Sequence, residues 1–329
     1  MNLSKNHHQI SPGARELFAK GDSKAPCCVL STVGATPLVP IKSACEKTGC
    51  RILAKAEYLN PGGSVKDRIA RFMIEQAEAR GELTPGSTIL EVTSGNTGIA
   101  LSMIGTIKGY RVVIIMPRSV SVERQMMIRA FGAELRLIER LTGIQNAVRE
   151  AVDIARQDPR VFLPSQFSNL DNALCHQRTT GPELIAQVDG PIDAFVMGVG
   201  TGGTLMGVGR ALRAAGQNSQ IVAVEPDESA VLSGAQPGEH GIQGLADGFI
   251  PELISRDEID QVMRVTTPAA RERATRLACE DGLFVGLSAG ANVVATERLA
   301  EKLGPGHTIV TVLADRGERY LSHSSNGAC

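Results

Sequence analysis

Tryptophan is absent from the 329 residues, and aromatic side chains make up only 3%. A surface for stacking nucleobases therefore has almost nothing to build with. Net charge is equally scarce: 34 Lys and Arg stand against 35 Asp and Glu, leaving −1. That removes the bulk attraction that holds proteins to nucleic acid or to anionic membranes. No apolar run approaches the roughly 20 residues of a membrane helix; the longest, such as 112–116, have the length of buried strands. The first 22 residues are polar and lack the apolar stretch of a secretory signal, so a cytoplasmic address is expected. The seven cysteines (Cys27, Cys28, Cys45, Cys50, Cys175, Cys279, Cys329) are odd in number and form no CxxC pair. Plain thiols and no metal site are expected.

What is present is a regular alternation. Short β-branched runs at 51–57, 88–92, 111–116, 134–138, 193–199, 220–225, 259–265 and 308–313 read as strands. Amphipathic segments at 65–80, 97–108, 121–131, 144–157, 204–215 and 269–279 lie between them. Gly81, Gly109, Gly132, Gly282 and Gly304 stand where helices end. This pattern implies an α/β protein with parallel sheets covered by helices on both faces. The length suits two domains, and the polar, turn-rich stretch 162–171 is the candidate junction. The first thirty or so residues show no period and are expected to form an arm.

In open α/β sheets ligands sit beyond the carboxyl ends of the strands. Four small-residue loops are expected there, each after a strand and opening a helix: 60–67 (NPGGSVKD), 93–98 (TSGNTG), 198–204 (GVGTGGT) and 286–291 (GLSAGA). In 198–204, backbone N–H groups and a helix dipole would converge on an anion, with Thr201 and Thr204 adding hydroxyls. Its glycines at 198, 200 and 203 also match the dinucleotide fingerprint, with Glu225 where a ribose-binding acid would sit. A nicotinamide-dependent dehydrogenase is thus one reading. Lys66 favours another. It sits in the first turn of a helix, where the dipole and the neighbouring Arg68 and Arg71 disfavour an ammonium ion. Such a site keeps an amine reactive toward an aldehyde, although a solvated lysine beside Asp67 is the plainer alternative. Thr93, Ser94 and Thr97 would make an uncharged cradle for a substrate carboxylate, and the Asn96 amide can bond a phenolic oxygen. The plainer alternative for this loop, and for Ser288, is helix capping.

Together the pieces NPGGSVKDRI, TSGNTGIAL, QFSN, TTGPEL, GVGTGGTLMGVGR and GLSAGAN resemble the cysteine synthase (O-acetylserine sulfhydrylase) and cystathionine β-synthase family of fold-type II pyridoxal-phosphate enzymes. The likeness runs from about Gly34 to about Leu321. It implies two three-layer domains with mainly parallel sheets and the cofactor in the cleft between them, as in the tryptophan synthase β fold. The implied division is an arm at 1–33, a smaller substrate-binding domain at 61–169, and a larger phosphate-binding domain at 34–60 and 170–329. By the same resemblance Lys66 carries pyridoxal 5′-phosphate and moves the α-proton, while Asn96 contacts the cofactor's O3′. Gly200, Thr201, Gly202, Gly203 and Thr204 hold its phosphate, and Ser288 faces the pyridine nitrogen. Thr93, Ser94, Thr97 and Gln166 bind the substrate carboxylate. A hydroxyl such as Ser288 cannot hold that nitrogen protonated as a carboxylate would, which favours β-elimination over transamination.

The implied reaction replaces the acetate of O-acetyl-L-serine by sulfide to give L-cysteine, in a homodimer. Val92 replaces a common proline, and Leu170 and Asp171 replace a proline-containing turn. The most informative departure is at 244–248, which reads GLADG where the family commonly has GIGAG. Asp247 thereby adds a carboxylate to a segment expected to border the site. It argues against a phosphorylated donor and against bisulfide by like-charge repulsion, and leaves open a cystathionine β-synthase-like or diamino-acid-forming reaction.

Overall fold

The computed structural model describes residues 28–93, 95–139 and 143–323. The chain first lays down β1 (Leu38–Pro40), α1 (Lys42–Thr48), β2 (Arg51–Lys55) and α2 (Lys66–Arg80). It continues through β3 (Thr88–Val92), α3 (Asn96–Ile107), β4 (Arg111–Pro117), α4 (Val122–Ala130), β5 (Glu134–Ile138), α5 (Gly143–Gln157) and β6 (Val161–Phe162). Then α6 (Leu170–Arg178) and α7 (Thr180–Gln187) lead to β7 (Ala194–Gly198), α8 (Gly203–Ala214), β8 (Gln220–Pro226) and β9 (Gln261–Val265). The last elements are α9 (Thr267–Asp281), α10 (Leu287–Leu303) and β10 (Thr308–Val312).

The strands form two sheets, a six-stranded one in the order β1-β2-β10-β7-β8-β9 and a four-stranded one in the order β5-β4-β3-β6. Among the strand pairs of the described residues only β1–β2 is antiparallel. Successive residues of a strand point to opposite faces, and here each face meets its own core. In β8, Val222 and Val224 join one apolar cluster, Ile221 and Ala223 the other. In β4, Val112, Ile114 and Met116 face one cluster, Val113 and Ile115 the other. Both sheets are therefore covered on two sides, which is why their strands read as unbroken β-branched runs rather than alternating ones.

Several elements depart from the sequence expectation. The three residues of β1 and two of β6 are too short to leave a periodic signature. The latter falls at the edge of the supposed junction, whose far end is already the start of α6. The loop 286–291 does not follow a strand. It leaves the end of α9 through a single bridge between Val285 and Arg316 and opens α10. Small residues there permit close helix packing: a Cβ on Gly290 would run into the Ala270 carbonyl of α9. The described cysteines 28, 45, 50 and 175 are free, but Cys279 is in a disulfide, contrary to the expectation of thiols throughout.

A buried ionic cluster fixes the start of α2. Arg68 donates to Glu57 at 2.8 Å through Nε and Nη2, and to Glu183 at 2.7 Å through Nη1 and Nη2. Lys55, fully buried at the end of β2, reaches Glu183 at 2.7 Å. Two carboxylates thus offset two cations where β2, α2 and α7 meet. Removing one partner would leave a buried charge unmatched, a loss of about 3–5 kcal/mol.

Candidate active site

The turn after β2, the turn after β3, the turn after β7 and the start of α10 open onto one cavity. Lys66 is the first residue of α2, and its backbone N–H donates to the Ser64 hydroxyl at 3.2 Å. Its side chain lines the cavity. Burial pushes the amine below the ordinary lysine range, with the charges of Asp247 and Asp315 opposing. The expected cause needs correcting: Arg68 points away into the Glu57–Glu183 cluster, and desolvation lowers Lys66. An amine of lowered basicity gives up its proton more readily and so serves better as a nucleophile.

Thr93, Asn96, Thr97 and Gln166 line the same cavity. The Thr97 hydroxyl donates to Gln166 Oε1 at 2.6 Å. The cap position of α3 is Gly95, which has no side chain to cap with; its own N–H donates to the Thr93 hydroxyl at 3.2 Å. Gly95 adopts φ 152, and a Cβ on it would press on the Arg124 side chain. The Asn96 amide is oriented at both ends: Nδ2 donates to Asp315 at 2.7 Å, and Oδ1 accepts from Arg319. Ser94 lies outside the described residues.

Gly200, Thr201, Gly202 and Thr204 form the opposite wall. Gly202 caps α8 with φ 84, a left-handed conformation that favours glycine. A Cβ on Gly200 would strike the Gly244 carbonyl, and one on Gly203 the Asn172 amide. Gly203 is the first residue of α8, so the helix N-terminus faces this turn. Thr201 accepts from Asn172 Nδ2 at 3.0 Å, and Thr204 contacts His176 Nε2 at 3.1 Å. Ser288, the second residue of α10, is buried and lines the cavity; the cap position belongs to Gly286. The capping alternative for Ser288 is therefore set aside.

Sequence reasoning missed the support behind these groups. His176 lies between QFSN and TTGPEL, fully buried on α6, and holds Thr204 and Thr180. Burial first, then the charges of Arg68 and Lys66, keep its imidazole neutral well below the usual range. Arg124 on α4 also lines the cavity, stacked 4.5 Å over Tyr320 and bonded to Gln243. A spacing search could not find it, because its partners are about 120 and 190 residues away in sequence. Asp247, flagged from the sequence, does line the cavity.

An amine of lowered basicity, a glycine and hydroxyl cradle at a helix start, an oriented amide and a buried hydroxyl fit pyridoxal phosphate. Nicotinamide does not fit: Glu225 is buried and accepts from Leu232 N, Ser233 N and Ser233 Oγ, closing its own loop. A family model described as "Pyridoxal-phosphate dependent enzyme" matches residues 29–315. The chain belongs to this family. Among its pyridoxal-phosphate relatives, a cysteine synthase of Staphylococcus aureus is 45% identical over 295 residues, covering 89% of this chain and 95% of that one. The solved cysteine synthase of Entamoeba histolytica has a TM-score of 0.87 at 39% identity, covering 100% of this chain and 96% of that one. An O-ureido-L-serine synthase structure also has a TM-score of 0.87, at 40% identity, covering 92% of this chain and 98% of that one. The protein is a cysteine-synthase-like pyridoxal-phosphate enzyme.

Proposed function

We propose that this chain replaces the acetate of O-acetyl-L-serine by sulfide, giving L-cysteine and acetate. The observation that carries the reading is the single cavity in which the Lys66 amine faces an uncharged carboxylate cradle and an anion cradle. Gly200, Thr201, Gly202, Gly203 and Thr204 would hold the cofactor phosphate, Asn96 its phenolic oxygen, Ser288 its ring nitrogen, and Lys66 its aldehyde carbon. When bound, the cofactor supplies the electron sink that lets an amino acid lose its α-proton and β-substituent. Thr93, Ser94, Thr97 and Gln166 would seat the substrate carboxylate, holding the α-carbon within reach of Lys66 Nζ. Lys66 Nζ then takes the α-proton and later returns it. We place the substrate-binding unit at 61–169, the phosphate-binding unit at 34–60 and 170–329, and the active form in a cytoplasmic homodimer.

A second nucleophile is favoured by one observation, the carboxylate of Asp247 in the cavity wall. The similar O-ureido-L-serine synthase supports a broader choice of second substrate on this scaffold. Steady-state assays of O-acetylserine and O-phosphoserine against sulfide, homocysteine and amines test the reading. Cysteine from O-acetylserine and sulfide is the expected dominant product. Dominant turnover of O-phosphoserine would overturn the donor assignment and point to Arg124 as its phosphate partner.

A further inference from the structure

The loop carrying Asp247 is built to aim it. Leu245 is buried against Gly198, where an added Cβ would sit 2.6 Å from Leu245 Cδ2. The Ala246 N–H donates to the Val199 carbonyl at 2.9 Å, and the Ala246 carbonyl accepts from His240 Nε2 at 3.1 Å. The other imidazole nitrogen accepts from Ile242 N at 3.2 Å, so His240 staples its loop at two points. Ala246 itself sits at φ 45, a left-handed conformation that an alanine adopts only under constraint. Past Asp247, the Phe249 ring meets Phe167 edge-on at 5.1 Å, beside Gln166 of the cavity wall. Two anchors and one strained residue thus present a carboxylate to the cavity.

Among the described residues no hydrogen-bond donor or ion-pair partner is attached to that carboxylate. The charged and titratable groups that face it are Lys66 on α2 and His240 of its own loop, and Arg124 on α4 lines the same cavity. Asp247 lines the cavity yet is exposed to solvent, so a proton it accepts has a path to water. A carboxylate is of no use to sulfide, which reaches a site already as an anion and is repelled by it. It is of use to a nucleophile that must lose a proton as it attacks.

We propose that Asp247 is the proton acceptor for a neutral O–H or N–H nucleophile, so that the site performs β-replacement with such molecules besides sulfide. The inference rests on the β-replacement reading above. The attacking lone pair forms the new bond to the β-carbon, and acetate leaves with the old bonding pair. The proton freed from the nucleophile rests on Asp247 and passes to solvent. The α-proton leaves and returns through Lys66, with no net change there.

The test uses the holoenzyme with O-acetylserine and three second substrates: sulfide, N-hydroxyurea, and water enriched in oxygen-18. Labelled serine marks attack by water at the β-carbon, since ester hydrolysis would leave the serine oxygen unlabelled. In Asp247→Asn the turnover ratio of N-hydroxyurea to sulfide should fall ~100-fold, and Asp247→Glu should recover part of it. A ratio unchanged within about threefold overturns the proposal. So does a native enzyme that makes cysteine but neither the hydroxyurea ether nor labelled serine. A native enzyme that releases no acetate from O-acetylserine beyond its spontaneous hydrolysis takes down the β-replacement reading as well. Independently of turnover, infrared difference spectra of cofactor-free protein should show a titrating carboxyl band that Asp247→Asn lacks; its absence also overturns the proposal.

Discussion

At Lys66 two demands meet: the amine must be neutral enough to react and rigid enough to aim. Burial provides the first, and the Arg68 cluster two residues on provides the second. Lys66→Ala should lower turnover ~1,000-fold or more, with unchanged far-ultraviolet circular dichroism. Borohydride reduction and peptide mass analysis should find the pyridoxyl group on residue 66 of the native chain; a pyridoxyl adduct on another lysine would refute the assignment. Ser288→Ala should keep most activity. Ser288→Asp sets a carboxylate where the ring nitrogen is expected and should cost at least ~10-fold in turnover; equal losses in the two variants would mean a packing role instead. Residues such as these were legible because their neighbours in sequence are their neighbours in space. Arg124, Asn172 and His176 were not, because their contacts are made by the fold.

Elements were legible in proportion to their length and period. The strands 88–92 and 134–138 stand where the β-branched runs put them, as β3 and β5. By contrast α6 and α7 were overlooked: their polar and small residues let them pack closely on α8, and that blurs the amphipathic signal. The start of α8 shows how little room is left. Gly203→Ala must displace Asn172, and should destabilise by about 1–3 kcal/mol and weaken binding of the cofactor phosphate. Denaturant titration and fluorescence titration with pyridoxal phosphate would read the two effects. Free accommodation of alanine there would mean that α8 and α6 do not pack as described. Glu57→Gln, which strips one carboxylate from Arg68, should lower stability by about 3–5 kcal/mol. A shift in the urea midpoint worth under about 1 kcal/mol would mean that Glu183 alone suffices.

For the molecule as a whole, its buried carboxyls set opposing pH responses. Burial raises Asp67 from 3.8 to about 7 and Glu91 from 4.5 to about 8. A raised acid holds its proton longer in the folded state, so stability from these two is greatest below their unfolded values. It declines as pH rises toward 7 and then 8. Glu183 runs the other way: Arg68 and Lys55 overcome its burial and hold it at about 2. Its contribution is present above 4.5 and fades as pH falls toward 2. Asp67→Asn should therefore flatten the decline in urea midpoint between pH 4 and 7; an unaltered slope would show that Asp67 is ionised throughout. The two parallel sheets follow from alternation in the sequence, but their strand order does not. In the larger sheet β2 lies beside β10, pairing Arg51 with Thr308, and the turn before Lys66 is closed by Val65 N on the Ala314 carbonyl at 2.9 Å. During synthesis the four-stranded sheet has all its strands once residue 162 has emerged, whereas β2 must wait for a strand made some 250 residues later. A chain still on the ribosome, or clipped before β10, would carry a complete smaller sheet and an amine whose turn is unsealed. The turn that holds the amine is thus sealed only by residues made far later in the chain.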